Sequence, residues 1–213
     1  MYPFLKRILD LIIALLGLVL LSPLLVAIAT WVKFSSPGRV LYAGARVGRD
    51  GVPFRMLKFR TMVVDADKIG GSSTSADDAR LTSAGRFLRR FKLDELPQLM
   101  NVLRGDMSFV GPRPQVEWAV KLYSPEERRL LSVRPGITDF ASLQFRNEGE
   151  ILRGSADPDR DYLEKIAPQK IRLGLYYVGH TSFFVDAKIL AATVLSLAGV
   201  DPSWCLPQAT ARA

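Results

Sequence analysis

From Ile8 to Val32 the chain reads ILDLIIALLGLVLLSPLLVAIATWV, with Asp10 as its one charged residue, and a run this apolar belongs in a bilayer. It is too long for a signal peptide, and no small-residue cleavage site follows it. Two arrangements satisfy it. One is a plain spanning anchor. The other is a bent helix pair that enters and leaves the same leaflet. Ser22-Pro23 sits mid-run, and proline removes a backbone donor and clashes with the preceding turn, so a bend is expected there. At about 1.5 Å per residue, Ile8–Ser22 covers roughly 22 Å and Pro23–Val32 roughly 15 Å, against a hydrocarbon core of about 30 Å. Basic residues flank both ends, Lys6 and Arg7 before and Lys33 and Arg39 after, which favours one shared side for the two flanks. The residues alone leave both arrangements open. Asp10 reads as a helix-end anchor at the interface or as a partner of Arg7, three residues earlier on the same helical face.

The remaining length, within 213 residues, suits one globular domain. The net charge of +8 points to anionic partners: nucleic acid, acidic lipid or phosphorylated substrates. A single cysteine, Cys205, provides no disulfide framework, and a single histidine, His180, argues against a histidine metal site. The expected division is a membrane segment over residues 1–34, a globular domain over 35–200 and a loose tail over 201–213. SSPGR (35–39) is a linker. Two strand-like runs around Asp50-Gly51 predict a β-hairpin, whose second strand alternates Lys58 and Arg60 against Leu57 and Phe59. The charged face either meets an anion or is simply solvated.

Residues 70–78 read as a flexible loop. Thr82 or Ser83 caps a helix to Arg90, with Phe87, Leu88 and Phe91 on its apolar side. In LDELPQLMNVLRGD, Asp94 reads as the N-cap of a helix that Gly105 stops. Leu96, Leu99, Met100 and Leu103 form its buried stripe. GPRP (111–114) and VRPGIT (133–138) read as two rigid turns. Phe183–Gly199 is a last helix, in the core or in the membrane interface.

Asp94-Glu95 carries the chemistry. The plain reading of two acids at a helix start is a cap and a dipole partner. The surroundings argue for more: Arg86, Arg89, Arg90 and Lys92 lie just upstream and Arg113 downstream in a proline-fixed turn. A carboxylate among cations is expected to have a depressed pKa and to stay ionised. Beside a bound phosphate it can attack phosphorus. Arginines supply paired contacts to phosphate oxygens, and Mg²⁺, for which Glu95 is the natural ligand, completes such a set.

The pieces KRILDLIIALLGLVLLSP, VGRDGVPFRMLKFRTM, GRFLRRFKLDELPQLMNVLRGDMSFVGPRP, VRPGIT and YYVGHTSFFVDAKIL together resemble the monotopic phosphoglycosyl transferases, the bacterial sugar transferases of glycoconjugate assembly. The resemblance runs from about Lys6 to Leu190. It implies a mostly helical α+β fold: a re-entrant helix pair broken at Ser22-Pro23, a small β-hairpin and amphipathic helices in the interface. It implies residence on the cytoplasmic face of a bacterial inner membrane. The implied reaction moves a sugar 1-phosphate from a nucleoside diphosphate sugar, uridine being the family's usual base, to polyprenyl phosphate. Asp94 would be the nucleophile and Glu95 the Mg²⁺ ligand. Arg89 and Arg113 would bind phosphate with Lys58 and Arg60 nearby, and Arg134 is a further candidate. The partners would be a nucleotide sugar, polyprenyl phosphate and membrane lipid, and not nucleic acid. The chain departs from the family at Asp139-Phe140, where Gly and Trp are usual, and through residues 141–163. That region is expected to touch the sugar or to set the oligomeric state, which stays open. Two other readings are a non-catalytic, membrane-anchored basic protein binding nucleic acid or acidic lipid, and a nucleotide-sugar hydrolase. No helix-turn-helix, RNA-binding or zinc pattern supports the first.

Overall fold

The computed structural model describes residues 2–207, the side chain of Asp67 excepted. Its helices are α1 (Tyr2–Leu20), α2 (Ser22–Ser35), α3 (Ala66–Ile69), α4 (Ser83–Arg90), α5 (Gln98–Arg104), α6 (Glu117–Lys121), α7 (Phe140–Gln144), α8 (Glu148–Ile151), α9 (Pro158–Asp161), α10 (Ala167–Gly179) and α11 (Phe183–Leu197). Strands β1 (Leu41–Val47) and β2 (Pro53–Phe59) form the expected antiparallel hairpin, in register from Leu41 opposite Phe59 to Val47 opposite Pro53. Asp50 and Gly51 both take positive φ at its turn, a backbone that Asp tolerates and Gly favours.

Helices α1 and α2 meet at a 63° bend. Pro23 lacks the N–H that would continue the ladder, and the Ser22 hydroxyl donates to the Val19 carbonyl at 2.8 Å. No single described helix is long and apolar enough to cross a membrane; the bent pair passes that test only when its halves are taken together. Most of α1 faces outward, with Phe4, Leu5, Ile12, Leu15, Leu16, Val19 and Leu20 exposed. Its buried residues, Asp10 and Ala14, face the domain.

Helices α1 and α2 also pack against the rest of the chain. Ala14 packs in a cluster with Met56, Val102 and Met107, and Gly17 lies against Leu99. Ile28 and Val32 of α2 pack with Phe59 and Leu88. Arg7 is not the partner of Asp10. It donates to the carbonyls of Val102 and Leu103, while Asp10 accepts from the Phe109 N–H at 3.2 Å. At the helix start, one Asp186 oxygen accepts from Tyr2 and Lys6, and the other from Tyr177 at 2.7 Å. The α1–α2 pair is thus tied to α5 by Arg7 and to α11 by Asp186.

A second sheet escaped the sequence reading. Strands β3 (Ser108–Val110) and β4 (Gly136–Thr138) pair in parallel, so the two rigid turns form one joint. Gly111 donates to Thr138 O and Gly136 to Pro112 O, each at 3.1 Å. A Cβ on Gly136 would lie 2.2 Å from the Gly111 nitrogen, so the crossing excludes any larger residue. Behind it, Val110, Phe140, Leu173, Tyr177, Ile189 and Ala192 build the main core. The start of the expected loose tail joins this core: Pro202–Cys205 is a 3₁₀ turn with Cys205 buried. Residues 208–213 lie outside the described residues.

Candidate active site

Four elements build the surroundings of the acid pair Asp94-Glu95. Strand β2 brings Lys58, α4 brings Arg89, the turn after β3 brings Arg113, and a 3₁₀ turn over Leu93–Glu95 brings both carboxylates. Asn101 sets the spacing. Fully buried on α5, it accepts from Leu57 N at 2.9 Å and donates to Arg55 O at 2.8 Å, lacing the helix to β2. The sequence reading did not single it out; a polar residue inside the apolar face of a helix was the available signal.

Asp94 is not the cap of α5. Lys92, in the left-handed region at φ 57°, starts the 3₁₀ turn, and Pro97 precedes the first residue of α5. The tighter turn turns Asp94 inward, where it is 4% exposed. The flanking expectations hold: Thr82 caps α4 through the Gly85 N–H, and Gly105 ends α5 at φ 97°.

The cations favour one acid over the other. Arg113 binds both oxygens of Glu95, and Lys58 donates to Glu95 Oε1 at 2.9 Å. Lys58 stands 4.0 Å from Asp94 Oδ2, and Asp94 makes no hydrogen bond among the described residues. Burial raises the pKa of Glu95, but Arg113 and Lys58 outweigh it and hold the group well below the usual carboxylate range. For Asp94 burial wins, with the Glu95 charge adding to it, and its pKa is raised despite Lys58, Arg89 and Lys92. The expected depressed carboxylate is therefore Glu95, and Asp94 is the more basic of the pair.

Among the residues expected at the site, the structure gathers Lys58, Asp94, Glu95 and Arg113. Arg89 is half-buried and close enough to influence Asp94. Arg60 and Arg134 are not brought to the pair. Strand β2 ends at Phe59, and the Arg60 Nη2 donates to the carbonyls of Val32 and Ser36 at the end of α2. Arg134 donates to Gly105 O at 2.9 Å, at the opposite end of α5. Ser22 and Pro23 lie at the bend, as expected. A cavity of about 530 Å³ lies between residues 63–80 and 156–159, and none of the four gathered residues lines it.

A carboxylate pair ringed by lysine and arginine, beside an apolar bent helix pair, defines an anion-handling site next to a lipid-like surface. The sequence profile described as bacterial sugar transferase matches residues 1–199, and the chain belongs to that family. It is 36% identical over 204 residues to the exopolysaccharide production protein ExoY of Sinorhizobium fredii, covering 89% of this chain and 83% of the relative. It is 38% identical over 202 residues to the UDP-glucose:undecaprenyl-phosphate glucose-1-phosphate transferase of Caulobacter vibrioides, covering 93% and 72%. The Escherichia coli protein of the same name is 40% identical over 198 residues, covering 89% of this chain but 39% of that longer relative.

Proposed function

We propose that this protein transfers a sugar 1-phosphate from a UDP-sugar to a polyprenyl phosphate, undecaprenyl phosphate by analogy with its relatives, as the first membrane step of polysaccharide or glycoconjugate assembly. The observation that carries this reading is the asymmetry of the acid pair. Glu95 takes up Lys58 and Arg113, while Asp94 beside it keeps unbonded oxygens in a cationic setting. Asp94 attacks the phosphorus nearer the sugar. The bond from that phosphorus to the bridging oxygen breaks, and the nucleoside monophosphate leaves with the electron pair. An oxygen of polyprenyl phosphate then attacks the same phosphorus, releasing Asp94 as a free carboxylate and giving a polyprenyl diphosphate sugar.

Arg113, Lys58 and Arg89 neutralise phosphate charge in both steps. The two adjoining carboxylates are hard-oxygen donors, and no cluster of three or more acid, histidine or cysteine side chains forms among the described residues. That set fits a Mg²⁺ held largely by substrate phosphates, with Glu95 as its protein ligand. Bound there, the ion would supply further neutralisation of the diphosphate. The bent α1–α2 pair dips into the cytoplasmic leaflet and returns. The exposed Trp31, Phe87 and Phe91, in edge-on and tilted contact, lie at the surface of that leaflet, as does the exposed Phe184 of α11.

Incubation with a UDP-sugar and no lipid tests the reaction. The expected result is a burst of about one UMP per enzyme and a sugar phosphate adduct on Asp94, both abolished by excess chelator. UMP release that strictly requires lipid would replace the covalent route with direct displacement. Continuous release without lipid would favour the hydrolase reading.

A further inference from the structure

Helix α5 carries two fully buried side-chain amides, and they differ in one respect. Asn101 is saturated: it bonds Leu57 N, Arg55 O and Asp106 Oδ2. Gln98 is 0% exposed, and neither its Nε2 nor its Oε1 has a partner. A buried amide left unpaired is costly, and a methionine or leucine of similar size would avoid that cost. Asn101 explains itself by joining α5 to β2. Gln98 contributes nothing comparable to the fold as it stands.

Its place supplies the missing partner. Bonds of the 3₁₀ type run from the turn into α5: Leu96 N bonds Leu93 O, Leu99 N bonds Leu96 O, and Met100 N bonds Pro97 O. Asp94 lies four residues before Gln98, about one and a third turns in 3₁₀ winding and close to one turn were the stretch α-helical. Among the described residues Asp94 is a buried carboxylate that makes no hydrogen bond, and Gln98 holds an unused donor. Asp and Gln at this spacing on a helix are natural hydrogen-bond partners. The bond is unmade here, where the 3₁₀ turn winds Asp94 more tightly than an α-helix would.

We propose that Gln98 is a positioning residue for the transfer step: its side-chain amide donates to Asp94 when the carboxylate turns to meet phosphorus. The donor then fixes one carboxylate oxygen and leaves the other to form the new bond. This rests on Asp94 being the nucleophile. Gln98 itself does not touch substrate.

The test uses the full-length protein in detergent or nanodiscs with three readouts: melting temperature, the rate of adduct formation on Asp94, and the KM for the donor. Gln98→Met removes the unpaired amide, so it is expected to melt at or above the wild-type temperature. It should also form adduct about 10- to 100-fold more slowly, with the donor KM within twofold. Gln98→Glu keeps the shape but replaces the donor by a second acid, and is expected to be slower still. A purely structural glutamine would give the reverse pattern: melting falls and the adduct rate of folded protein is kept. Adduct formation at the wild-type rate in either folded variant overturns the proposal. Absence of any adduct in the wild-type protein, with UMP released only on adding lipid, instead overturns the covalent reading beneath it.

Discussion

The two ends of α5 handle positive charge in opposite ways. At its C-terminal end Arg7 holds the carbonyls of Val102 and Leu103, and Arg134 holds that of Gly105. The final carbonyls of a helix lack intrahelical partners and carry partial negative charge, so cations there serve the fold. At the other end the helix dipole opposes cations, yet Lys58 and Arg113 gather there. What holds them is Glu95, and neither is spent on a terminal carbonyl of the helix. Cations placed against the local dipole and gathered by a carboxylate are in position to meet an anionic substrate. A cation's neighbours, more than its presence, separate a binding group from a cap.

Substitutions at the two ends should separate activity from stability. The largest effect is expected from Asp94→Asn, which removes the nucleophile but no hydrogen bond. Turnover should fall by about 10⁴-fold or more with melting nearly unchanged, as read by UMP release and calorimetry. Next is Arg113→Ala, which leaves Glu95 short of its main counter-charge. It should cost about 3–5 kcal/mol in denaturant unfolding and lower the adduct rate in whatever protein stays folded. A pH profile of adduct formation follows. The raised pKa of Asp94 means protonation begins above the usual carboxylate value of about 4, so the acid limb should lie higher than for an ordinary aspartate. Lys58→Met removes a cation that lowers this pKa and should move the limb higher still. The smallest effect belongs to Arg134→Gln: about 1–2 kcal/mol of stability, with kcat and KM unchanged. A catalytic defect in that variant would erase the distinction between the two ends.

Local chemistry explains what the sequence made legible. Pro23 marked the bend, Asp50-Gly51 the hairpin, Thr82 a helix start and Gly105 a helix end, because each acts through its own backbone. Asp94, Glu95 and Arg113 could be grouped because phosphate chemistry needs those residue types near one another; Lys58 joined them only through the family resemblance. The missed features depend on chain segments meeting across long separations. Alternation placed Arg60 beside Lys58, but the strand stops at Phe59 and the carbonyls ending α2 claim the side chain. Arg134 was aimed at the acids until the crossing of Gly111 and Gly136 set it at Gly105. The charge states of the acid pair reversed for a similar reason. Counting cations along the chain could not reveal that Glu95 holds two of them while Asp94 is buried beside it.

The tie at Asp186 has a consequence for how the protein is made. Tyr2 and Lys6 leave the ribosome well before the carboxylate that receives them, which follows 184 and 180 positions later. During synthesis the first helix has its oily surface but no acidic partner for its lysine. Its lodging in lipid and its packing on α5 can begin early, whereas its tie to Asp186 waits until α11 has emerged. A nascent chain stalled before that helix would carry a membrane foot without the latch that joins it to the enzyme.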